Sequence, residues 1–301
     1  VIDDATAQQP TFFTLSEVGG NDVLGFATSG GYNPEVTDPV SGAVLTPASN
    51  AIYQSDSSVH PATYGTNDIT NTDVFASVFS EMVIDLIAND AKGVIATVPN
   101  ITLLPYFTTV PYNPLDPTAD TDSGKALAAQ TPLLNNVYGA INQIYVGAGE
   151  PERSIVFSVE ETNPVVIFDE DATDLTTAIT TTLASSPTFI PFVESLGLPA
   201  QAAPLVAGLL GQQYGKARSA TSADMFVLPS SGIIGKVNED HADALITQSG
   251  GLLPATLAGQ FSAQGVTLPL ADQWVLTPQE QALVITATEA YNTTIKAIAN
   301  S

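Results

Sequence analysis

Two β-branched and aromatic runs with one long amphipathic helix before the second restrict this chain more than any other feature. Thr11–Val18 (TFFTLSEV) reads as a short buried strand. Over Thr72–Asn89, Phe75, Val78, Phe79, Met82, Val83 and Leu86 recur at spacings of three and four, which predicts a helix with one apolar face. Asn71 or Thr72 can cap it, and Gly93 stands near a C-cap position. Val94–Val98 is nearly continuous in apolar and β-branched residues, the pattern of a strand buried on both faces. Strand, helix and strand in that order predict a parallel pair joined by a right-handed crossover. The turn after the first strand and the Pro99-Asn100 turn after the second then lie at one edge of the sheet.

The turn after the first strand is Gly19-Gly20-Asn21-Asp22, followed by the apolar start of a helix. Open α/β sheets place their chemistry at such strand–turn–helix corners. Glycines let a ligand approach the backbone. The Asn21 side-chain amide can aim a neutral donor at a developing negative charge. Asp22 is a natural N-cap for the helix from Val23. The same four residues also make a plain tight turn with a helix cap, so the corner alone does not settle its purpose.

GGNDVLGFATSGG, YGTNDITNTDVFASVF, GVIATVPNITLLPYFTTVPYNPL and LADQWVLTPQEQALVITATEAYNTTIKAIA together resemble the exported SGNH (GDSL-type) hydrolases of Bacteroidota-like bacteria. The resemblance covers most of the chain and is weaker near Ala172–Pro204 and Lys236–Leu253. It implies a three-layer α/β/α sandwich with a mostly parallel, flavodoxin-like sheet. In that family the G-x-N-D block supplies an oxyanion-hole asparagine. The resemblance therefore gives Asn21 that role, with Gly20 in the oxyanion-hole loop and Asp22 as loop and helix-cap support.

The departures are as definite as the match. The family's nucleophile lies in a G-D-S block ahead of the G-x-N-D block, and no Gly-Asp-Ser occurs in this chain. Its base and orienting acid lie in a D-x-x-H block, but Ser57 stands three before His60 and Asn238 three before His241. The simplest account is one SGNH-like domain over 1–301, incomplete at both ends, with loop insertions near 30–66, 100–130, 150–204 and 236–275.

Charge excludes several partners. With 31 Asp and Glu against 7 Lys and Arg, no basic patch can offset phosphate repulsion, so nucleic acid is excluded and anionic membrane surfaces are disfavoured. There is no cysteine, hence no disulfide, thiol nucleophile or cysteine–zinc site. No apolar run is long enough for a transmembrane helix. No metal or organic cofactor is implied. Asp120-x-Asp122-x-Gly124, with Asp116 nearby, lacks the third acid and distal glutamate of a calcium loop.

Elsewhere, Gly30–Tyr64 reads as a long loop or small insertion containing His60. Thr131 and Pro132 open a helix reaching Tyr145. Ser154–Val159 and Val165–Phe168 read as a hairpin, and Ala223–Leu228 as a third strand of the main sheet. Thr176–Ser185 and Pro199–Arg218 read as helical. Thr277-Pro278-Gln279-Glu280 is a capping box opening a last helix with Leu283, Ala287, Tyr291, Ile295 and Ile298 on its buried face. Ser230 and Ser231 follow a strand but lack a G-x-S-x-G elbow.

Two functional readings follow. In the first, the full-length protein is an exported serine esterase, lipase or acylhydrolase acting on a small-molecule or lipid ester, with Asn21 binding the oxyanion. In the second, the chain is a non-catalytic, surface-exposed module with outer-membrane protein partners. A triad improvised inside the chain would have to use His60 or His241.

Overall fold

The computed structural model describes residues 2–88 and 90–300. It is a mixed α/β structure with 49% helix and 12% strand, so helix packing builds most of the core. The chain divides into two compact units, Val1–Thr108 with Leu276–Ser301, and Thr109–Val275.

In the first unit, Phe12–Leu15 pairs in parallel with Lys92–Ile95, in register from Phe12 opposite Lys92 to Leu15 opposite Ile95. The expected parallel pair is therefore present, but its second strand begins and ends earlier than the Val94–Val98 run. Val98 has left the ladder because the Asn292 side chain takes both its polar groups: Val98 N–H donates to Oδ1 at 2.7 Å and Nδ2 donates to the Val98 carbonyl at 2.9 Å. Gly93 is not a helix cap. It lies within the strand, where the Phe13 ring occupies the space a Cβ would need. Nor are the strands buried: Phe12 and Val94 are each 58% exposed. β-branched composition reports a strand, but burial requires covering layers, and this sheet is two strands wide among the described residues.

Three helices build this unit's core. Thr72–Ile87 starts where Asn71 Oδ1 accepts the Asp73 N–H at 2.9 Å, and buries Phe75, Phe79, Val83 and Leu86. Val78 lies off that stripe and is exposed. The expected terminus at Asn89 lies outside the described residues. Gly20–Thr28 buries Val23, Phe26 and Ala27. Pro278–Ala299 opens with the expected capping box: Thr277 Oγ1 accepts the Glu280 N–H, and the Glu280 carboxylate accepts the Thr277 N–H at 2.7 Å. Val284 rather than Leu283 joins Ala287, Tyr291 and Ile295 on its buried face.

The expected loop after residue 30 is folded. Tyr32–Asn33 pairs antiparallel with Ser49–Asn50, and Val36–Thr37 with Val44–Thr46. The Asp68 carboxylate ties the segment together, accepting from Asn33 Nδ2, Ile52 N, Gln54 Nε2 and Gly65 N within 2.6–3.0 Å.

The second unit is organised on the helix Asp122–Gly147. Thr121, not Thr131, caps it, and Thr131 and Pro132 lie inside. Thr131 Oγ1 donates to the Leu127 carbonyl at 2.9 Å, and Pro132, which has no N–H, leaves the Ala128 carbonyl without its helical donor. The expected Ser154–Val159 strand does not pair with Val165–Phe168. Two amides of the long helix take its place as ladder partners. Asn142 brackets Ile155, and Asn135 brackets Phe157, each accepting an N–H and donating to the carbonyl at 2.8–2.9 Å. Val166–Phe168 instead pairs antiparallel with Ala217–Ser219. The Ala223–Leu228 run forms strand only at Met225–Phe226 and does not join the Phe12–Leu15 and Lys92–Ile95 sheet as a third strand. The helices Thr176–Ser185 and Ala203–Tyr214 pack together, where Gly211 leaves no room for a Cβ against Thr180 Oγ1 and the Thr176 carbonyl. Arg153 is buried against the Tyr145 ring and donates to the Ala217, Thr173 and Gly215 carbonyls and the Glu150 carboxylate.

Candidate functional site

The corner after Phe12–Leu15 is fixed by glycine. Gly19 adopts φ 81° at the N-cap of the Gly20–Thr28 helix, and a Cβ there would stand 2.8 Å from Tyr291 Cδ2 and 2.9 Å from Phe75 Cε2. Those two rings stack with centroids 4.1 Å apart. The chain can turn here only by pressing bare backbone against them.

Asp22 is not the helix cap, because Gly19 holds that position. Its carboxylate faces Thr70 and Tyr291. Oδ2 accepts the Thr70 N–H at 2.8 Å and the Tyr291 hydroxyl at 2.5 Å, and Oδ1 accepts the Thr70 hydroxyl at 3.1 Å. The Tyr291 hydroxyl also lies 2.7 Å from the Thr70 carbonyl. Burial, and then the Asp22 charge beside it, push the Tyr291 phenol far above its ordinary range, so it remains a donor. Asp22 thus bonds the corner to the start of the Thr72–Ile87 helix and to the last helix.

Asn21 is left outside this network. It is exposed, and its side-chain amide makes no hydrogen bond among the described residues. The backbone N–H groups of Asn21 and Asp22, in the first helical turn, also take no acceptor among the described residues. Gly20 differs, since its N–H donates to the Glu17 carbonyl at 2.9 Å and is not available as an oxyanion donor.

The other sequence candidates are placed separately and serve local structure. His60 is exposed, and its Nδ1 accepts the Ala62 N–H at 3.1 Å, capping the short turn Pro61–Thr63. His241 Nδ1 lies 2.8 Å from Ser262 Oγ, which would suit a nucleophile–base pair. Ser262, however, is buried and donates its proton to the Ala258 carbonyl at 2.7 Å. His241 must then be the donor to Ser262, the reverse of what a general base needs. Burial lowers the His241 pKa, which favours the neutral ring. Ser231 Oγ donates to the Leu228 carbonyl at 2.9 Å, and Ser230 is fully buried. Asp116 accepts from Thr118, and Asp120 pairs with exposed Lys125. Among the described residues no serine, histidine and carboxylate converge.

Sequence reasoning located the corner but missed Tyr291 and Thr70. The only available signal was a tyrosine on the buried stripe of the last helix, whose hydroxyl needs a partner when buried. Among the described residues, no single helix is long and apolar enough to cross a membrane. Comparison with protein-family models, curated proteins and solved structures gives no match to this chain.

Proposed function

We propose that this chain forms the oxyanion-hole portion of an exported SGNH-type serine ester hydrolase, with Asn21 as the side-chain donor. Its parallel pair then belongs to a three-layer, flavodoxin-like sandwich. One observation carries the reading: at the corner after the parallel strand, Asp22 is fully engaged in structure while its neighbour Asn21 presents a free amide. A donor held on a rigid helix start and left unbonded suits a charge that exists only during reaction. Asp22 and Tyr291 are positioning residues here, holding the helix that carries Asn21.

The chemistry is acyl transfer. A serine attacks the ester carbonyl, a histidine takes its proton and returns it to the leaving alcohol, and Asn21 donates to the oxyanion of the tetrahedral intermediate. In the SGNH family the serine and histidine come from G-D-S and D-x-x-H blocks, neither of which occurs in residues 1–301. The test is fluorophosphonate labelling of the full-length protein with hydrolysis of p-nitrophenyl esters. A labelled serine with ester turnover supports the enzyme. The missing nucleophile and base favour a second reading, a non-catalytic surface module with outer-membrane partners. An unlabelled, inactive full-length protein would overturn the first reading and leave the second.

A further inference from the structure

In the first unit the chain from Pro34 to Asn50 runs as a β-hairpin arm, and every residue in it except Asp38 is exposed. Its base is fixed. Asn33 Nδ2 donates to the Asp68 carboxylate at 2.8 Å, the Asn67 N–H to Asn33 Oδ1 at 2.8 Å, and Asn67 Nδ2 to the Tyr32 carbonyl at 2.6 Å. Yet the arm turns its apolar side chains outward. Val40 at the tip is 94% exposed, Leu45 62%, Val44 53% and Val36 40%. Thr37 pairs with Val44 and Val36 with Thr46, so Val36 and Val44 project from opposite faces of the hairpin. A groove on a protein partner would cover one face and leave the other in water. A fluid apolar phase covers both faces and the tip at once.

The backbone of the tip suits such a phase, because every N–H of residues 38–43 has a partner within the turn. The Asp38 N–H donates to the Ala43 carbonyl at 2.8 Å, and the Gly42 N–H to the Asp38 carbonyl at 2.9 Å. Asp38 Oδ1 accepts the Val40 and Ser41 N–H groups at 2.9 and 2.7 Å, and Ser41 Oγ accepts the Ala43 N–H at 3.3 Å. Pro39 has no N–H to satisfy, and Gly42 supplies the φ of 69° at the end of the turn. Water could serve these donors at an exposed turn, whereas in an apolar phase each unbonded N–H costs free energy. Charge then selects the kind of surface. No Lys or Arg precedes Lys92, while Glu35 and Asp38 lie in the arm itself. Anionic lipid is repelled, and a zwitterionic choline headgroup offers those two carboxylates a cation.

We infer that this arm docks the protein on the surface of a zwitterionic phospholipid bilayer, with Val40 leading and Leu45, Val44 and Val36 entering the boundary between headgroups and acyl chains. Glu35 and Asp38 stay at the level of the headgroups, which limits the depth. The bilayer is a surface here and not a substrate, so the inference goes beyond the hydrolase reading and does not rest on it.

The test is flotation of the 301-residue chain with vesicles of diether phosphatidylcholine, a lipid with no ester bond to hydrolyse. The chain should float with these vesicles, and replacing part of the lipid with diether phosphatidylglycerol should weaken binding. Val40→Asp should weaken partitioning about tenfold or more, and Val40→Asp with Leu45→Asp should abolish it. Val156→Asp makes the same charge change at an exposed valine of the other unit and should leave partitioning unchanged. The emission of Val40→Trp should move to shorter wavelength when vesicles are added. Failure of the wild-type chain to float, tighter binding to phosphatidylglycerol, or an equal loss in Val156→Asp would overturn the inference. So would a concentration-dependent dimer that Val40→Asp removes, since the arm would then belong to a second copy. Because the probe lipid carries no ester, none of these outcomes bears on the hydrolase reading.

Discussion

Asp22 does more for this molecule than its exposed neighbour. A carboxylate accepting three hydrogen bonds, one from a buried phenol, is costly to weaken, because hydrogen bonds to charged groups contribute about 1.5–3 kcal/mol each. Asp22→Asn should destabilise the protein by roughly 2 kcal/mol in denaturant unfolding, and Asn21→Ala by under about 0.5 kcal/mol. Equal effects would contradict the division of labour between them. Asp68 gives a pH test. Burial opposes its charge, but donors from Asn33, Ile52, Gly65 and Gln54 outweigh burial and hold its pKa below the usual 3.8. A carboxylate depressed in the folded state stabilises fully above its unfolded pKa and loses that contribution as pH falls through the folded value. The stability advantage of wild type over Asp68→Asn should therefore hold at neutral pH and shrink below pH 3.8. An advantage that grows on acidification would contradict the assignment. At this scale the sequence was readable only where a rule is local. Gly19 is legible as a turn residue, whereas Asp22 reads as a cap because its partners Thr70 and Tyr291 lie 48 and 269 residues away.

Among the elements, local signals located the helices well and the strands poorly. The Thr277–Glu280 capping box is complete within four residues, so it reads directly from sequence. Thr277→Ala should cost about 1 kcal/mol in thermal or denaturant unfolding, and a neutral result would show the box to be dispensable. The Thr131-Pro132 pair imitates a helix start but lies inside Asp122–Gly147, since proline reports a tolerated position and not a terminus. Ser154–Val159 shows why strand signals failed. Its extended backbone is real, but Asn135 and Asn142, seven residues apart on the long helix, satisfy it. β-propensity reports an extended segment and is silent on what pairs with it. Replacing both asparagines with alanine leaves four bonded backbone groups without partners. It should destabilise this unit by about 2–4 kcal/mol, seen as faster amide exchange at Ile155 and Phe157. Unchanged protection at both amides would contradict the clamp.

On the scale of the whole molecule, charge and the parallel pair are the properties that sequence made plainest. A net charge of −24 repels itself, and salt screens that repulsion over about 10 Å at 0.1 M. Raising sodium chloride from about 10 to 150 mM should raise the melting temperature, and a fall would mean that the few ion pairs, such as Arg218 with Asp169 and Asp224, outweigh the net repulsion. Mixed α/β class and the parallel pairing of Phe12–Leu15 with Lys92–Ile95 followed from the order of elements. A groove of about 870 Å³ in the second unit did not, because it is assembled from residues near 109–130, 228–239 and 255–266, none with a motif of its own. The most direct measurement of the central claim is ester hydrolysis by the full-length protein with Asn21 intact and replaced by alanine. Loss of one oxyanion donor should lower kcat about 100-fold or more with KM nearly unchanged. An unchanged kcat would contradict the assignment of Asn21 to the oxyanion hole.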